Sequence, residues 1–341
     1  MKFKKRQLVY ILLGILVLYF LVLYKLPYYI YKPGGADALN PIVQVENSYE
    51  SKGDMHLVTV RGGQATPVQY IWAKLTPHRD ILPLKEVFPE GVTEDEYFHA
   101  QLQVMENSQE SATVVAYEAA DEDITIEYEG VYVVSVVENM PAEGKLEVGD
   151  QMIKIDEQSI EQTDDLLNYI KKKQSGDIVK ITLIRDDEEL EKEVSLEEFD
   201  EIDDRIGMGV SLVTDRSVTV DPKVNFSSGN IGGPSAGLMF SLEIYDQLTE
   251  NDLTSGYDIA GTGEVDYNGN VIRIGGIDKK VIAADKEGCD IFFAPNEEGV
   301  KDSNYSVAKQ TAEEIGTDMK IVPVDTFEDA LDYLQGLNKS E

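Results

Sequence analysis

The chain has a single cysteine, Cys289, and only three histidines in 341 residues. One cysteine excludes an internal disulfide and a cysteine-rich metal site. The histidines, His56, His78 and His99, are scattered and form no metal-ligand spacing. None lies beyond position 99, so a Ser-His-Asp triad is not available to the second half of the chain. Basic side chains are also scarce, 30 against 64 acidic, for a formal charge of −34. That balance argues against a nucleic-acid partner, whose phosphates such a surface repels. The sequence also lacks Gly-x-x-x-x-Gly-Lys-[Ser/Thr], and with it a P-loop motor.

What basic charge there is has a place. Residues 1–32 carry Lys2, Lys4, Lys5, Arg6, Lys25 and Lys32 and no acid. Between them Leu8 to Tyr24 is a run of 17 residues without charge. As a helix it covers about 26 Å, enough for a thin bilayer with Lys25 snorkelling and Tyr24, Tyr28 and Tyr29 at the interface. Residues 1–34 therefore read as a cytoplasmic basic tip and one transmembrane anchor, with the rest of the chain outside the cell. A cleaved signal peptide is the rival, but Lys25-Leu26-Pro27-Tyr28-Tyr29-Ile30 offers no small-x-small cleavage site.

Tyr31-Lys32-Pro33-Gly34-Gly35 reads as a break. Residues 35–120 then form an extracellular segment, either a domain of its own or an extension packed on the C-terminal part of the chain. Leu57-Val58-Thr59-Val60 and Val68-Gln69-Tyr70-Ile71-Trp72 read as short strands joined by Arg61-Gly62-Gly63. Thr93-x-x-Glu96 is a capping box that starts a helix ending near Ala120. Nothing in this region announces chemistry.

Residues 121–200 read as a compact β-rich unit. Gly130 to Val136 is a buried strand, Asn139 to Asp150 a turn-rich link, and Gln151 to Ile155 an alternating strand. Thr163 caps a helix from Asp164 to Lys173, and Asp177 to Arg185 alternates again. This order, with Leu146-x-x-Gly149-Asp150 ahead of an alternating strand, resembles the PDZ domains of bacterial envelope proteases over about 75 residues. The resemblance implies peptide capture by strand addition. The backbone of Glu129, Gly130, Val131 and Tyr132 would then meet the peptide carboxylate. A PDZ-like spacer with an unused groove is the plainer alternative.

Past Asp200 the composition turns glycine-rich and apolar. Gly232-Gly233-Pro234-Ser235-Ala236-Gly237 forces a tight turn before a dense apolar block, Leu238 to Tyr245. A serine there is either a helix N-cap or a nucleophile beside free backbone N–H groups. Downstream, Asp278 opens a helix that Gly288 closes. Ile277, Lys280, Val281 and Ala284 share one face of it, so Lys280 points with the apolar residues, while Lys279 falls on the other side with Lys286. A lysine on an apolar face is either a snorkelling side chain or a desolvated amine whose pKa drops toward neutrality, as a general base requires.

Gly233-Pro234-Ser235-Ala236-Gly237, Gly261-Thr262-Gly263-Glu264 and Gly275-Gly276-Ile277-x-x-Lys280 occur in the order and spacing of the Lon-type serine peptidase domain. This resemblance spans roughly residues 205–330. With the anchor and the PDZ-like unit, the chain resembles the membrane-anchored, PDZ-containing Lon-like peptidases of Gram-positive bacteria.

The implied fold is an α/β (α+β) Lon-type peptidase domain over 201–341, with a PDZ-like domain and one N-terminal transmembrane helix. The implied chemistry is a Ser–Lys dyad: Ser235 the nucleophile, Lys280 the base, Thr262 orienting the lysine. The backbone N–H groups of Ser235 and Gly232 would form the oxyanion hole. The family has an aspartate at the position of Gly232, and its loss here leaves that side of the site more permissive. No cofactor and no metal are implied, and the partners would be peptide or protein substrates. Lon-type domains often form rings, which leaves a homo-oligomer open. The expected activity is ATP-independent cleavage of flexible peptides, termini or membrane-proximal loops, with the PDZ unit selecting or gating substrate. A membrane-anchored adaptor with a silent peptidase fold is the alternative. A signal-peptidase-like enzyme shares the dyad but not the Gly-Thr-Gly-Glu and Gly-Gly-Ile blocks.

Overall fold

The computed structural model describes residues 5–88, 93–137, 139–199 and 206–337. Lys2 and Lys4 of the basic flank, the expected boundary at residues 200–201 and the polar tail beyond Leu337 lie outside them. The chain divides into two compact units, one built from residues 1–123 and 220–341, the other from residues 124–219.

The first unit is made from both ends of the chain. Its sheet runs Lys320–Val324, Ile291–Pro295, Ile259–Gly261, Met55–Gln64, Tyr28–Ala38, Asp80–Pro83. The first four strands are parallel to one another, and the last two add antiparallel. Half the sheet is therefore N-terminal sequence. The Pro33-Gly34-Gly35 break is in fact a register shift inside the strand Tyr28–Ala38. Gly34 is required there, because a Cβ would stand 2.4 Å from the Thr59 carbonyl oxygen of the neighbouring strand.

The Leu57 strand forms as its β-type residues predict, within Met55–Gln64, but Val68 to Trp72 does not form a strand. It belongs to the helix Pro67–Leu75, started by Thr66 as N-cap, Pro67 in the first turn and Gln69 closing a capping box. The β-type residue content outweighed that start signal in the sequence. The Thr93 box works as read: the Glu96 N–H donates to Thr93 Oγ1, the Thr93 N–H donates to Glu96 Oε2, and the helix runs Glu94–Ala120. It packs along the buried helix Gly237–Leu248. On the other side, the helix Ile277–Glu287 joins Val58, Ala260 and Phe292 in one apolar cluster.

The second unit orders its strands Val210–Asp221, Asp123–Val136, Gln151–Ile155, Ile178–Arg185, Glu188–Ser195, with the helix Thr163–Ile170. That helix starts one residue earlier than read, with Gln162 as the cap residue, because Asp165 accepts the Gln162 N–H. The core holds Val131, Val133, Leu146, Met152, Leu166 and Leu183. The Gly149-Asp150 pair has a physical reason. Gly149 takes φ +96°, and Asp150 is buried with its two oxygens on Arg185 Nε and Nη2 at 2.6 and 2.7 Å. Burial pushes the Asp150 carboxyl up, but Arg185 and the Glu147 N–H outweigh it and hold the group below its usual value.

Close packing in the first unit leaves no room at Gly261, where a Cβ would come within 2.6 Å of Met239 Sδ and 2.9 Å of Phe293 Cβ. Gly261→Ala is expected to lower stability by about 1–3 kcal/mol, read as a reduced urea midpoint at unchanged m-value.

Candidate active site

Residues 227–236 are the loop between the strand Val224–Phe226 and the helix Gly237–Leu248. The loop is fixed from outside. The Gly233 N–H donates to the Gln101 carbonyl at 2.8 Å, and Ser108 Oγ donates to the Pro234 carbonyl at 2.8 Å. Gln101 and Ser108 lie two turns apart on the helix Glu94–Ala120, on the face that also carries buried Met105. Gly233 adopts φ +94°, which a side chain would oppose. The helix begins at Gly237 with Ala236 in the cap position, so Ser235 is not its N-cap. The serine's own carbonyl accepts the Gly263 N–H at 3.0 Å and Thr262 Oγ1–H at 2.8 Å. Its hydroxyl is thus presented by a backbone held on both sides.

Lys280 approaches from the helix Ile277–Glu287, which starts after Gly276 in a left-handed conformation against Val60. Its Nζ lies 2.5 Å from Ser235 Oγ and 2.8 Å from Thr262 Oγ1. The residue is 4% exposed, and among the described residues no carboxylate stands within ion-pair distance of it. Burial without a counter-charge lowers its pKa to about 7. Lys279 provides the contrast and a correction. It does not face solvent but is 1% exposed, because the N-terminal strand Asp80–Pro83 brings Asp80 to 2.6 Å from its Nζ, with Asp278 at 3.1 Å. Two adjacent lysines are both buried; among the described residues the amine of one meets two carboxylates and that of the other two hydroxyls.

Ser235 and Lys280 open onto a cleft of about 750 Å³. The N-terminal segment, in which the sequence announces no chemistry, builds much of its wall through Tyr29, Tyr31, Thr59, Arg61, Tyr97 and Gln101. Gly232 lies on the same rim, and its glycine has a steric cause. A Cβ there would stand 2.8 Å from Gln101 Cβ and 3.1 Å from the Gln101 carbonyl carbon. Any side chain at this position would run into the helix Glu94–Ala120. Among the described residues the Gly232 and Ser235 N–H groups have no hydrogen-bond partner, whereas that of Gly233 is taken by Gln101. Two polar residues at seven-residue spacing on one helix face, half-buried Gln101 and buried Ser108, were the available sequence signal for this contribution.

The structure does not bring Glu129, Gly130, Val131 and Tyr132 to a free edge. They lie in the interior strand Asp123–Val136, flanked by Val210–Asp221 on one side and paired with Gln151 and Met152 on the other. Val131 is buried in the unit's core, and the Glu129 carbonyl accepts Gln151 Nε2–H at 2.7 Å. No backbone row is open there for strand addition. Among the described residues no group of three or more His, Cys, Asp or Glu side chains is placed to hold a metal ion. Burial, and then Asp258, Glu287 and Asp290, push the Cys289 thiol up to about 12, which makes it an inert core residue.

Residues 214–335 match the Lon protease (S16) C-terminal proteolytic domain, and residues 101–196 match a PDZ domain. The chain carries a Lon-type proteolytic domain and a PDZ domain. A Lon protease of Campylobacter jejuni is 34% identical over 130 residues, 35% of this chain and 16% of that protein. A Lon protease of Campylobacter concisus is 38% identical over 99 residues, 29% of this chain and 11% of that protein. The chain thus spans about a sixth or less of the length of these curated relatives. Among solved structures, the PDZ domain of an SdrC-like protein from Listeria monocytogenes is 32% identical, covering 26% of this chain and 93% of that one at a TM-score of 0.25. A solution structure from Geobacillus thermodenitrificans is 45% identical, covering 24% and 94% at a TM-score of 0.23.

Thr262 Oγ1 bonds both the Lys280 amine and the Ser235 carbonyl. Thr262→Val removes an acceptor that favours the charged amine. It is expected to cut kcat on unstructured peptides by about 10–100-fold and to move the acidic limb of the pH profile downward. A merely structural loss would lower activity at all pH values alike.

Proposed function

We propose that the chain is an ATP-independent serine endopeptidase, anchored by its N-terminal helix with the catalytic unit outside the cell, and that Ser235 and Lys280 form its dyad. The observation that carries this reading is the 2.5 Å contact between Lys280 Nζ and Ser235 Oγ inside a site dry enough to lower the lysine pKa to about 7.

With the amine neutral, the contact is a hydroxyl donating to a lone pair, the arrangement that activates a serine. Ser235 Oγ attacks the scissile carbonyl carbon as its proton passes to Lys280 Nζ. The carbonyl oxygen gains negative charge beside the N–H groups of Ser235 and Gly232. Collapse expels the amine product, which takes the proton back from the Lys280 ammonium, and leaves an ester on Ser235. Water then hydrolyses the ester with Lys280 again as the base. Thr262 keeps the amine aimed, donating its own proton to the Ser235 carbonyl so that its lone pair faces Lys280.

No step uses a nucleotide, and the substrates that suit this cleft are already flexible segments. The PDZ unit would select such segments by strand addition. The edge strand open to this is Val210–Asp221, beside the helix whose Thr163 N–H donates to Thr214 Oγ1 at 2.9 Å.

Wild-type protein is expected to cut an unstructured peptide without ATP, and Ser235→Ala to lose at least about 10³-fold in rate. Equal cleavage by both would leave a silent fold and an adaptor. Because the base works only when neutral, kcat/KM should fall about tenfold per unit below an apparent pKa near 7. Lys280→Met should be as inactive as Ser235→Ala yet more stable near neutral pH. The gain is at most about 5 kcal/mol, the free energy tied up in lowering an amine from 10.5 to about 7, and it is read as a raised Tm.

A further inference from the structure

The helix Pro67–Leu75 is built as an interface helix. Ala73 and half-buried Tyr70 fix it to the body, in a small apolar cluster with Leu26, Tyr28, Ile30 and Ala65. The Tyr28 and Tyr70 rings lie 5.0 Å apart, and Lys74 Nζ sits 4.9 Å over Tyr70. The other face carries Val68, Ile71, Trp72 and Leu75, at i, i+3, i+4 and i+7, and all four are exposed. Trp72 is 59% and Leu75 77% exposed, an apolar stripe that a water-facing helix would not keep.

Its neighbour identifies what covers it. The apolar helix Lys5–Leu23 touches Pro67–Leu75, and almost no linker separates that helix from the folded unit. Only two residues past its end, Lys25 Nζ donates to the Gln64 carbonyl and the Leu26 N–H donates to the Ala65 carbonyl at 2.8 Å. A bilayer crossed by the first helix must therefore reach the second. Charge agrees. In a chain of net −34, residues 24–36 and 61–79 carry Lys25, Lys32, Arg61, Lys74 and Arg79 and no acidic residue. Anionic headgroups attract such a patch and repel the rest of the surface. A tryptophan with one apolar and one wet side is a residue of this layer.

We propose that the helix Pro67–Leu75 lies in the headgroup layer of the bilayer crossed by the N-terminal helix, with Val68, Ile71, Trp72 and Leu75 against lipid. The proposal rests on reading Lys5–Leu23 as an anchor. It gives the catalytic unit a second membrane contact and a fixed height. Tyr28 packs on this helix while the next residue on the strand, Tyr29, lines the Ser235 cleft, so the cleft is held close to the membrane.

Trp72 is the protein's single tryptophan, so its fluorescence reports on this helix alone. The full chain is reconstituted in vesicles of phosphatidylcholine and phosphatidylglycerol, some with bromine high on the acyl chain. The expected result is flotation with the vesicles, a blue-shifted Trp72 emission, and quenching by the brominated lipid. Ile71→Ser/Leu75→Ser should float equally but lose both the shift and the quenching. Flotation with Trp72 open to aqueous acrylamide and silent to brominated lipid would overturn the proposal while leaving the anchor intact. A blue shift without lipid quenching would overturn it in favour of a second copy or another protein. Failure to float would remove the anchor, and this proposal with it.

Discussion

The site depends on keeping one amine dry. Among the described residues Lys280 Nζ bonds two hydroxyls and pairs with no carboxylate, and its burial lowers its proton affinity. Lys279, one residue earlier on the same helix, shows how finely this is set. It is at least as buried, but Asp80 and Asp278 stand within ion-pair distance of its amine. A carboxylate near Lys280 would raise its pKa and remove the feature that suits it to the proposed role of base.

That dryness is built from distant sequence. The strand Met55–Gln64 supplies Val58 to the cluster over the lysine helix, and Tyr28–Ala38 supplies Ala36. Gln101 and Ser108 pin the serine loop from the helix Glu94–Ala120. The segment before the PDZ unit is therefore part of the catalytic unit, completing a sheet whose other half comes from residues 259–324. A proteolytic unit cut at residue 201 would expose Ala260 and Phe292 and leave the serine turn unsupported.

Much of this was legible in the sequence. Helix starts with a side-chain cap, such as Thr93-x-x-Glu96, carry their reason locally, and Lys280 declared its face through 3.6-residue spacing. Two kinds of feature were not legible. Val68 to Trp72 has the composition of a strand and the start signal of a helix, and the cap won. Glu129 to Tyr132 was expected to meet a peptide carboxylate from the PDZ resemblance, but the order of segments in a sequence says nothing about which edge of a sheet is left open. Among the described residues the assembled order puts Val210–Asp221 and Glu188–Ser195 at its two edges and Asp123–Val136 inside. Gly232 likewise reads as a missing acid in one dimension and as room for Gln101 in three.

The most direct measurement is a titration of the lysine itself. With lysine Cε labelled by carbon-13 and the Lys280 resonance assigned by its loss in Lys280→Met, its chemical shift is followed by NMR across pH. The account predicts a midpoint near 7. A midpoint near 10.5, the ordinary value for a lysine, would mean a charged amine at physiological pH and would contradict its role as the base.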